Sequence, residues 1–154
     1  MKEERTHIES YLEIQQFRYQ DILDYEIQMD EEIYGYIIPK LTLQPLVENA
    51  LYHGIKNKRG KGKILITGKK QGDKIIFQVI DNGKGMTEEE LNSLRKKMAG
   101  TDTGDEAKGF GVSNVNQRIK YYYGEEYGVF FESKENEGTN ATIIIAAENI
   151  QLPS

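Results

Sequence analysis

The chain has 154 residues, of which 38% are hydrophobic and 29% are charged, and these values are typical of one globular domain. It contains no cysteine, which excludes disulfide bonds and thiolate metal sites. The formal net charge of −5 disfavours a nucleic-acid-binding protein, because such proteins usually carry a basic surplus.

Membrane insertion and secretion are not indicated either. No apolar run approaches the roughly 18 residues that a membrane span needs, and the N-terminal sequence MKEERTHIES is too polar for a secretory signal. We therefore expect the chain itself to be soluble. The one basic cluster, KNKRGKGK at 56–63, is more typical of a solvated loop than of a binding patch.

The first predicted element is an amphipathic helix from Glu3 to about Ile22. Its apolar stripe consists of Ile8, Tyr11, Leu12, Tyr19 and Ile22. Ile14 and Phe17 lie off this stripe and indicate a second apolar contact or a partner. The next segment, DYEIQMD at 24–30, alternates apolar and polar residues and predicts a strand.

A second, longer helix is predicted from near Pro39 to Tyr52 or His53, with Gly54 as its C-terminal stop. Pro45 falls inside this span, so we expect a kink or a broken first turn there. Two strand-like segments follow, joined by the hairpin signal QGD. They are GKILITGKK at 62–70 and KIIFQVID at 74–81.

Thr87 and Glu90 then form the capping-box pattern of a helix that runs to about Met98. Residues 99–111 hold four glycines and few apolar side chains, which predicts a mobile loop. A further helix is predicted over 112–123.

Gly124 should end that helix, and two last strands are predicted over 127–133 and 138–147, around the turn KENEG. Short turns between consecutive strands imply antiparallel pairs. The predicted fold class is therefore α/β (α+β): a two-layer sandwich of a mixed, mostly antiparallel sheet with helices on one face.

Several common site motifs are absent from the sequence. There is no G-x-x-x-x-G-K-[ST] phosphate loop and no G-x-G-x-x-G that opens a helix after the first strand. His7 and His53 lie far apart and on different predicted helices, so a zinc site is not indicated.

The segment LVENALYHG at 46–54 places polar residues on an otherwise apolar helix. Asn49 and His53 are four positions apart and share a helix face. Glu48 and Asn49 would be costly to bury without partners. A helix whose polar residues simply face water explains the segment equally well.

The segment DNGKGM at 81–86 follows a strand that looks buried. A carboxylate at Asp81 is unfavourable there unless it has a donor to bind. Gly83 and Gly85 permit positive φ and the close approach of a ligand. Taken alone, an ordinary strand-to-helix turn is the better explanation.

The segment KGFGVSNVNQRI at 108–119 contains a G-x-G that leads into a helix. Free backbone N–H groups at the positive end of a helix dipole form a natural phosphate seat. A purely structural turn accounts for this segment equally well.

In this order, the three segments resemble the ATP-binding domain shared by bacterial sensor histidine kinases, gyrase, MutL-type mismatch-repair ATPases and the large heat-shock chaperone. ENALYHG looks like the N box of that superfamily, DNGKGM like its first glycine box and GFGVSNV like its second. Gly138-Thr139 matches a fourth element, and the resemblance covers residues 39–147. IPKLTLQPLVENALYHGI and GFGVSNVNQRI are most similar to kinases of the YesM/LytS type.

The resemblance implies a Bergerat-type ATP-binding fold over residues 23–147, preceded by the end of a dimerisation helix at 1–22 and followed by a frayed tail at 148–154. The NPHFLYN-like phosphoacceptor motif of these kinases is absent, and we interpret His7 as a solvated helix residue. We therefore expect the cytoplasmic, C-terminal portion of a longer membrane receptor, which would not autophosphorylate alone.

The resemblance also assigns roles to residues. Asp81 would accept a hydrogen bond from the adenine amino group with support from Thr139, and Asn49 would bind Mg²⁺. Glu48 would orient or deprotonate the attacking histidine. The other ATP-binding positions that the resemblance implies are His53, Lys56, Gly83, Gly85, Met86, Lys108, Gly109, Phe110, Gly111, Val112, Asn114 and Arg118.

The implied function is transfer of the ATP γ-phosphate to a histidine of a separate dimerisation domain, and from there to a response regulator. One alternative is a clamp-type ATPase, which would need a transducing lysine from a further domain. Another is a nucleotide-binding module that signals without catalysis. Glu48 beside Asn49 favours catalysis, because a pure binding module does not need the acid.

Overall fold

The computed structural model of the chain describes residues 1–18, 23–40, 42–55, 61–99 and 110–149. The α-helices in these ranges are α1 (Lys2–Arg18), α2 (Gln44–Asn49), α3 (Glu88–Met98) and α4 (Phe110–Tyr123). The strands are β1 (Leu23–Met29), β2 (Gly62–Gln71), β3 (Lys74–Asp81), β4 (Gly128–Lys134) and β5 (Gly138–Ala146). A short 3₁₀ helix (Glu31–Gly35) follows β1, and a π turn (Ala50–Ile55) follows α2.

The strands form one mixed sheet in the order β1-β2-β3-β5-β4. β1 runs parallel to β2, and the other three pairs are antiparallel. The predicted mixed, mostly antiparallel sheet is therefore confirmed, including the hairpins β2–β3 and β4–β5.

One face of the sheet carries the core. Alternate residues of β3, including Phe77 and Val79, are buried, as are Ile143 and Ile145 on β5, and the period of two places them on the same face. The π turn contacts β2, β3 and β5, while α4 contacts β4 and β5. The predicted two-layer sandwich is confirmed.

The predicted start and end of the second helix are wrong. α2 begins at Gln44 and not near Pro39, so Pro45 occupies the first turn. A proline there loses no intrahelical hydrogen bond, which explains why it starts the helix and does not kink it. The helix continues beyond Asn49 as the π turn Ala50–Ile55, and Gly54 lies within that turn and does not end the helix before it.

The capping box of α3 is confirmed, since Thr87 Oγ1 accepts the Glu90 N–H and Glu90 Oε1 accepts the Thr87 N–H, each at 3.2 Å. α4 includes Phe110 and Gly111, which the sequence placed in a loop. Gly124 ends α4 with φ +118, as predicted. The predicted mobile loop lies mostly outside the described residues.

In α1, Ile8 and Leu12 are fully buried, which confirms their place on the apolar stripe. Ile14 and Phe17 are 66% and 79% exposed, so the described part of the domain does not bury them. His7 is exposed on α1, as predicted. No helix among the described residues combines the length and the apolar character needed to cross a lipid bilayer.

Candidate functional site

Asp81 is a buried carboxylate at the end of β3. Asp81 is 5% exposed, and its Oδ1 accepts the backbone N–H of Gly83 at 2.9 Å. In the sheet register, Asp81 pairs with Thr139 at the start of β5. Because buried carboxylates need donors, the structure brings this predicted pair together at a position suited to a hydrogen-bonding ligand.

Ser133 on β4 extends this polar group to a third strand. It pairs with Thr139 in register, and the two hydroxyl oxygens lie 2.8 Å apart. Ser133 Oγ also accepts the Met86 N–H at 2.8 Å and lies 3.0 Å from the carbonyl oxygen of Gly138, to which it donates. Sequence reasoning missed Ser133 because a single strand serine forms no motif; only the β4–β5 register places it here.

The loop between Asp81 and Met86 packs tightly on the β4–β5 turn. Gly85 has φ +68, and a Cβ there would overlap the carbonyl oxygen of Lys134. Gly138 has φ +115, and a Cβ there would overlap the carbonyl oxygen of Asp81. Gly85 was assigned to close approach by a ligand, whereas the close neighbour in the structure is protein backbone. The loop is therefore held in place by the protein itself.

Glu48 and Asn49 lie half-buried on α2. Leu46 and Val47 anchor the opposite side of this short helix in the core. Gln44, one turn earlier, donates from Nε2 to Glu48 Oε1 at 3.0 Å. This contact fixes the orientation of the Glu48 carboxylate.

The π turn after α2 attaches the helix to the sheet through its contacts with β2, β3 and β5. π turns are rare and occur frequently at functional sites. The backbone of His53 lies in this turn, but its side chain and all of Lys56 lie outside the described residues. Their predicted contacts with phosphate stay predictions.

The first turns of α2 and α4 pack against each other. A Cβ on Gly111 would lie 3.4 Å from Cβ of Pro45. Beside this contact is a groove of about 670 Å³, within the range of small-molecule sites. It is lined by Pro45, Gly111, Asn114, Gln117, Arg118 and Tyr121. Three predicted site residues, Gly111, Asn114 and Arg118, thus line one groove. Gln117 and Tyr121 follow Asn114 at helical spacing, and this spacing could have identified them from the sequence.

Arg118 also donates from one guanidinium nitrogen to the carbonyl oxygen of Lys40 at 3.0 Å, which ties α4 to the segment before α2. The other predicted residues at the start of α4 do not line the groove within the described structure. Val112 is buried in the core and does not line the groove. Phe110 is the first residue of α4, with a side chain outside the described part, as are Lys108 and Gly109.

Two further side chains fix the start of α4. Ser113 Oγ donates to the carbonyl oxygen of Lys97 and Asn116 Nδ2 to that of Met98, each at 3.2 Å. Asn116 is buried, and its Oδ1 accepts the N–H of Val129 at 2.9 Å. α4 is therefore fastened to the end of α3 and to β4, which holds the groove in position relative to the sheet.

Comparison with known proteins identifies this arrangement. Residues 39–149 match the profile of the family described as "Histidine kinase-, DNA gyrase B-, and HSP90-like ATPase". The chain belongs to this ATPase family. The match spans α2, the Asp81 loop, the groove residues of α4 and Thr139.

Relatives of this ATPase domain include one named as a sensor histidine kinase and others named as sensor proteins. Sensor histidine kinase YesM of Bacillus subtilis (strain 168) is 34% identical over 149 residues, which are 97% of this chain and 24% of the relative. Sensor protein LytS of Staphylococcus saprophyticus is 29% identical over 151 residues, 98% of this chain and 25% of the relative. The chain spans about a quarter to a half of the length of the curated relatives it matches.

The fold of this ATPase domain is also found in solved structures. The catalytic domain of histidine kinase ThkA aligns with a TM-score of 0.69 over 96% of this chain and 92% of that one, at 19% identity. The family match makes the chain an ATP-binding domain of the ATPase type, as the sequence motifs predicted, and the structural likeness shows that it has the fold of a histidine kinase catalytic domain.

Proposed function

We propose that this domain binds ATP and transfers its γ-phosphate to a histidine on a phosphoacceptor domain of the longer protein. The observation that carries the proposal is buried Asp81, in register with Thr139 and beside the hydroxyl of Ser133. The ATPase family and the name of the relative YesM, a sensor histidine kinase, support it.

The adenine end would form around Asp81. Its carboxylate accepts hydrogen bonds only, which suits the exocyclic amino group of adenine and disfavours the carbonyl of guanine. Since the single proton of Ser133 Oγ goes to Gly138, the Thr139 hydroxyl would donate to Ser133 and keep its lone pairs. Thr139 would then accept a hydrogen bond from a bridging water or from the base.

The phosphate end would lie near α2 and the groove. Arg118 adds positive charge to that groove, and Gly111 and Asn114 lie in the first turns of α4. We further propose that His53, Lys56, Lys108 and Gly109 contribute phosphate contacts, as the family resemblance implies.

Asn49 would hold Mg²⁺ through its amide oxygen, a ligand that suits a hard cation. Among the described residues, no group of three or more His, Cys, Asp or Glu side chains could hold a metal by itself. This donor set fits an ion that keeps most of its waters and is bound largely through phosphates. When bound, Mg²⁺ would neutralise charge on the triphosphate.

Glu48 would act on the attacking histidine. Gln44 holds Oε1 of the carboxylate, so the second oxygen can accept the imidazole N–H and orient the other ring nitrogen toward the γ-phosphorus. The new nitrogen–phosphorus bond forms as the bond to the bridging oxygen of ADP breaks, and ADP leaves with the electron pair. Transfer from phosphohistidine to a response regulator, and attachment to a membrane, would belong to the longer protein.

The test combines the purified chain with a separately purified phosphoacceptor domain of the same protein, Mg²⁺ and ATP labelled at the γ-phosphate. We expect acid-labile label on the histidine. Glu48→Gln should keep ATP affinity and lose most of the label, while Glu89→Gln, an exposed carboxylate on α3, serves as the matched control. Bound ATP with no label on the histidine would refute kinase activity and favour a nucleotide-binding module.

A further inference from the structure

Glu4 is a buried carboxylate that the proposed phosphoryl transfer does not use. It lies in the first turn of α1 and is 8% exposed. Its Oε1 accepts the backbone N–H of Leu43 at 2.7 Å, across 39 positions of sequence. This is a short, charge-assisted hydrogen bond between two elements that are distant in the chain.

Glu4 accepts the backbone N–H of the N-cap residue of α2, the group that a glutamate at N3 accepts in a capping box. Leu43 occupies the N-cap position of α2, and its aliphatic side chain cannot accept a hydrogen bond, so the helix has no side-chain cap of its own. The N–H of Leu43 is buried with the residue, which is 0% exposed. Without Glu4 that donor would be left without this acceptor, at a cost of about 1–3 kcal/mol for a typical buried group.

The position of Leu43 affects the position of Glu48 through the first turn of α2 and through Gln44. The carbonyl oxygen of Leu43 accepts the N–H groups of Leu46 and Val47, each at 3.0 Å, so its position defines the first turn of α2. Gln44 is the next residue, also buried, and its side chain donates to Glu48 at 3.0 Å. A displacement of Leu43 therefore moves the group that orients Glu48.

The register of α1 determines where Glu4 lies. Glu4, Ile8, Leu12 and Gln15 are the buried residues of α1 and share one face at helical spacing. The adjacent Arg5 donates to the hydroxyl of Tyr34, which fastens the same turn of α1 to the 3₁₀ helix. A shift of α1 by one turn, about 5.4 Å, would withdraw the carboxylate from Leu43.

We propose that Glu4 is a positioning residue through which α1 holds α2, and with it Glu48, in the orientation required for phosphoryl transfer. This inference rests on the proposed function. Asp81 and Thr139 lie on β3 and β5, outside α2, so movement of α1 should alter transfer more than recognition of the base.

The test compares Glu4→Ala and Glu4→Gln with Glu3→Ala, which removes an exposed carboxylate from the same turn. The readouts are kcat and KM for ATP in phosphotransfer to the separate phosphoacceptor domain, and amide hydrogen exchange at Leu43. We expect Glu4→Ala to lower kcat about tenfold, as a small misplacement of a catalytic group does, with a smaller rise in KM because Asn49 lies on the same helix. Exchange at Leu43 should accelerate.

Glu4→Gln keeps an acceptor oxygen and should give an intermediate kcat, and Glu3→Ala should match the unsubstituted chain. Wild-type kcat per folded molecule in both Glu4 variants would overturn the positioning role, even if their melting temperatures fall. If Glu4→Ala does not fold, Glu4→Gln alone decides: an unchanged kcat overturns the inference. If the unsubstituted chain transfers no phosphoryl group, the proposed function itself fails, whereas faster exchange at Leu43 would still establish the contact.

Discussion

Replacing Ser133 with alanine removes three hydrogen bonds at the adenine end of the proposed site. The hydroxyl links the Met86 N–H at 2.8 Å, the Gly138 carbonyl oxygen at 3.0 Å and the Thr139 hydroxyl at 2.8 Å. Each such bond contributes about 0.5–1.5 kcal/mol, and shared partners make the sum less than additive. We expect Ser133→Ala to lower the free energy of unfolding by about 2 kcal/mol.

The substitution should also weaken ATP binding, because Thr139 loses the neighbour that fixes its hydroxyl and the Asp81–Met86 loop loses a contact with β4. For a chain of this size the expected fall in melting temperature is about 4–8 °C. A loss of about 1 kcal/mol in binding corresponds to a roughly fivefold higher Kd. Thermal unfolding by circular dichroism and calorimetric titration with ATP measure the two effects.

Ser113→Ala is the matched control, since it also deletes a hydroxyl that is hydrogen-bonded to a carbonyl oxygen but lies on α4. It should change stability by less than Ser133→Ala. Should Ser133→Ala leave both the melting temperature and the ATP affinity unchanged, the hydroxyl cluster would have no part in building the site.

Gly85→Ala should destabilise the domain by about 2–4 kcal/mol, because φ is +68 and the new Cβ would overlap the Lys134 carbonyl oxygen; a urea midpoint equal to that of the unsubstituted chain would contradict this. Burial, with a smaller contribution from Glu148, raises the pKa of Tyr123 from 10.0 to about 12. The stabilising neutral form is therefore fully present below pH 10 and is lost as the pH rises through about 12. Tyr123→Phe should remove this alkaline loss of stability. The substitution should lower the free energy of unfolding little at pH 7, because the buried hydroxyl has no hydrogen-bond partner in the described structure. Urea unfolding at pH 7, 10 and 11 checks both statements, and an equal alkaline loss in Tyr123→Phe would show that another group titrates.

Elements with strong local signals were predictable from the sequence. Strands β2 and β3 follow from their alternating residues and the intervening turn, and Gly72 in that turn has φ +63. The start of α3 follows from Thr87 and Glu90, whose two mutual hydrogen bonds need only residues three positions apart. These features depend on neighbours in the chain, which is why a single sequence suffices.

The start of α2 was not predictable in the same way. Pro39 and Pro45 both suit a first helical turn, and local sequence does not choose between them. The structure places Leu43 at the N-cap with its N–H on Glu4, which belongs to a different helix. The π turn that follows likewise depends on packing against the sheet, which the helical pattern of residues 46–54 does not reveal.

The residues of the candidate site also separate into those indicated by sequence motifs and those revealed only by tertiary contacts. Asp81 and Thr139 were identified through motif order, and the sheet register places them side by side. Ser133 required the pairing of β4 with β5, and the role of Gly85 required the position of the β4–β5 turn. Motif order thus led to the residues that we propose bind the ligand, whereas the residues that support them became visible only through tertiary contacts.

Calorimetric titration of the chain and of Asp81→Asn with ATP in the presence of Mg²⁺ tests the central claim most directly. Asparagine keeps an Oδ1 that can accept the Gly83 N–H, so the loop and the melting temperature should be preserved. Its amide N–H₂ would face the adenine amino group with a second donor, and saturable binding seen with the unsubstituted chain should disappear. Equal ATP affinity in a correctly folded Asp81→Asn would show that this carboxylate does not recognise the base.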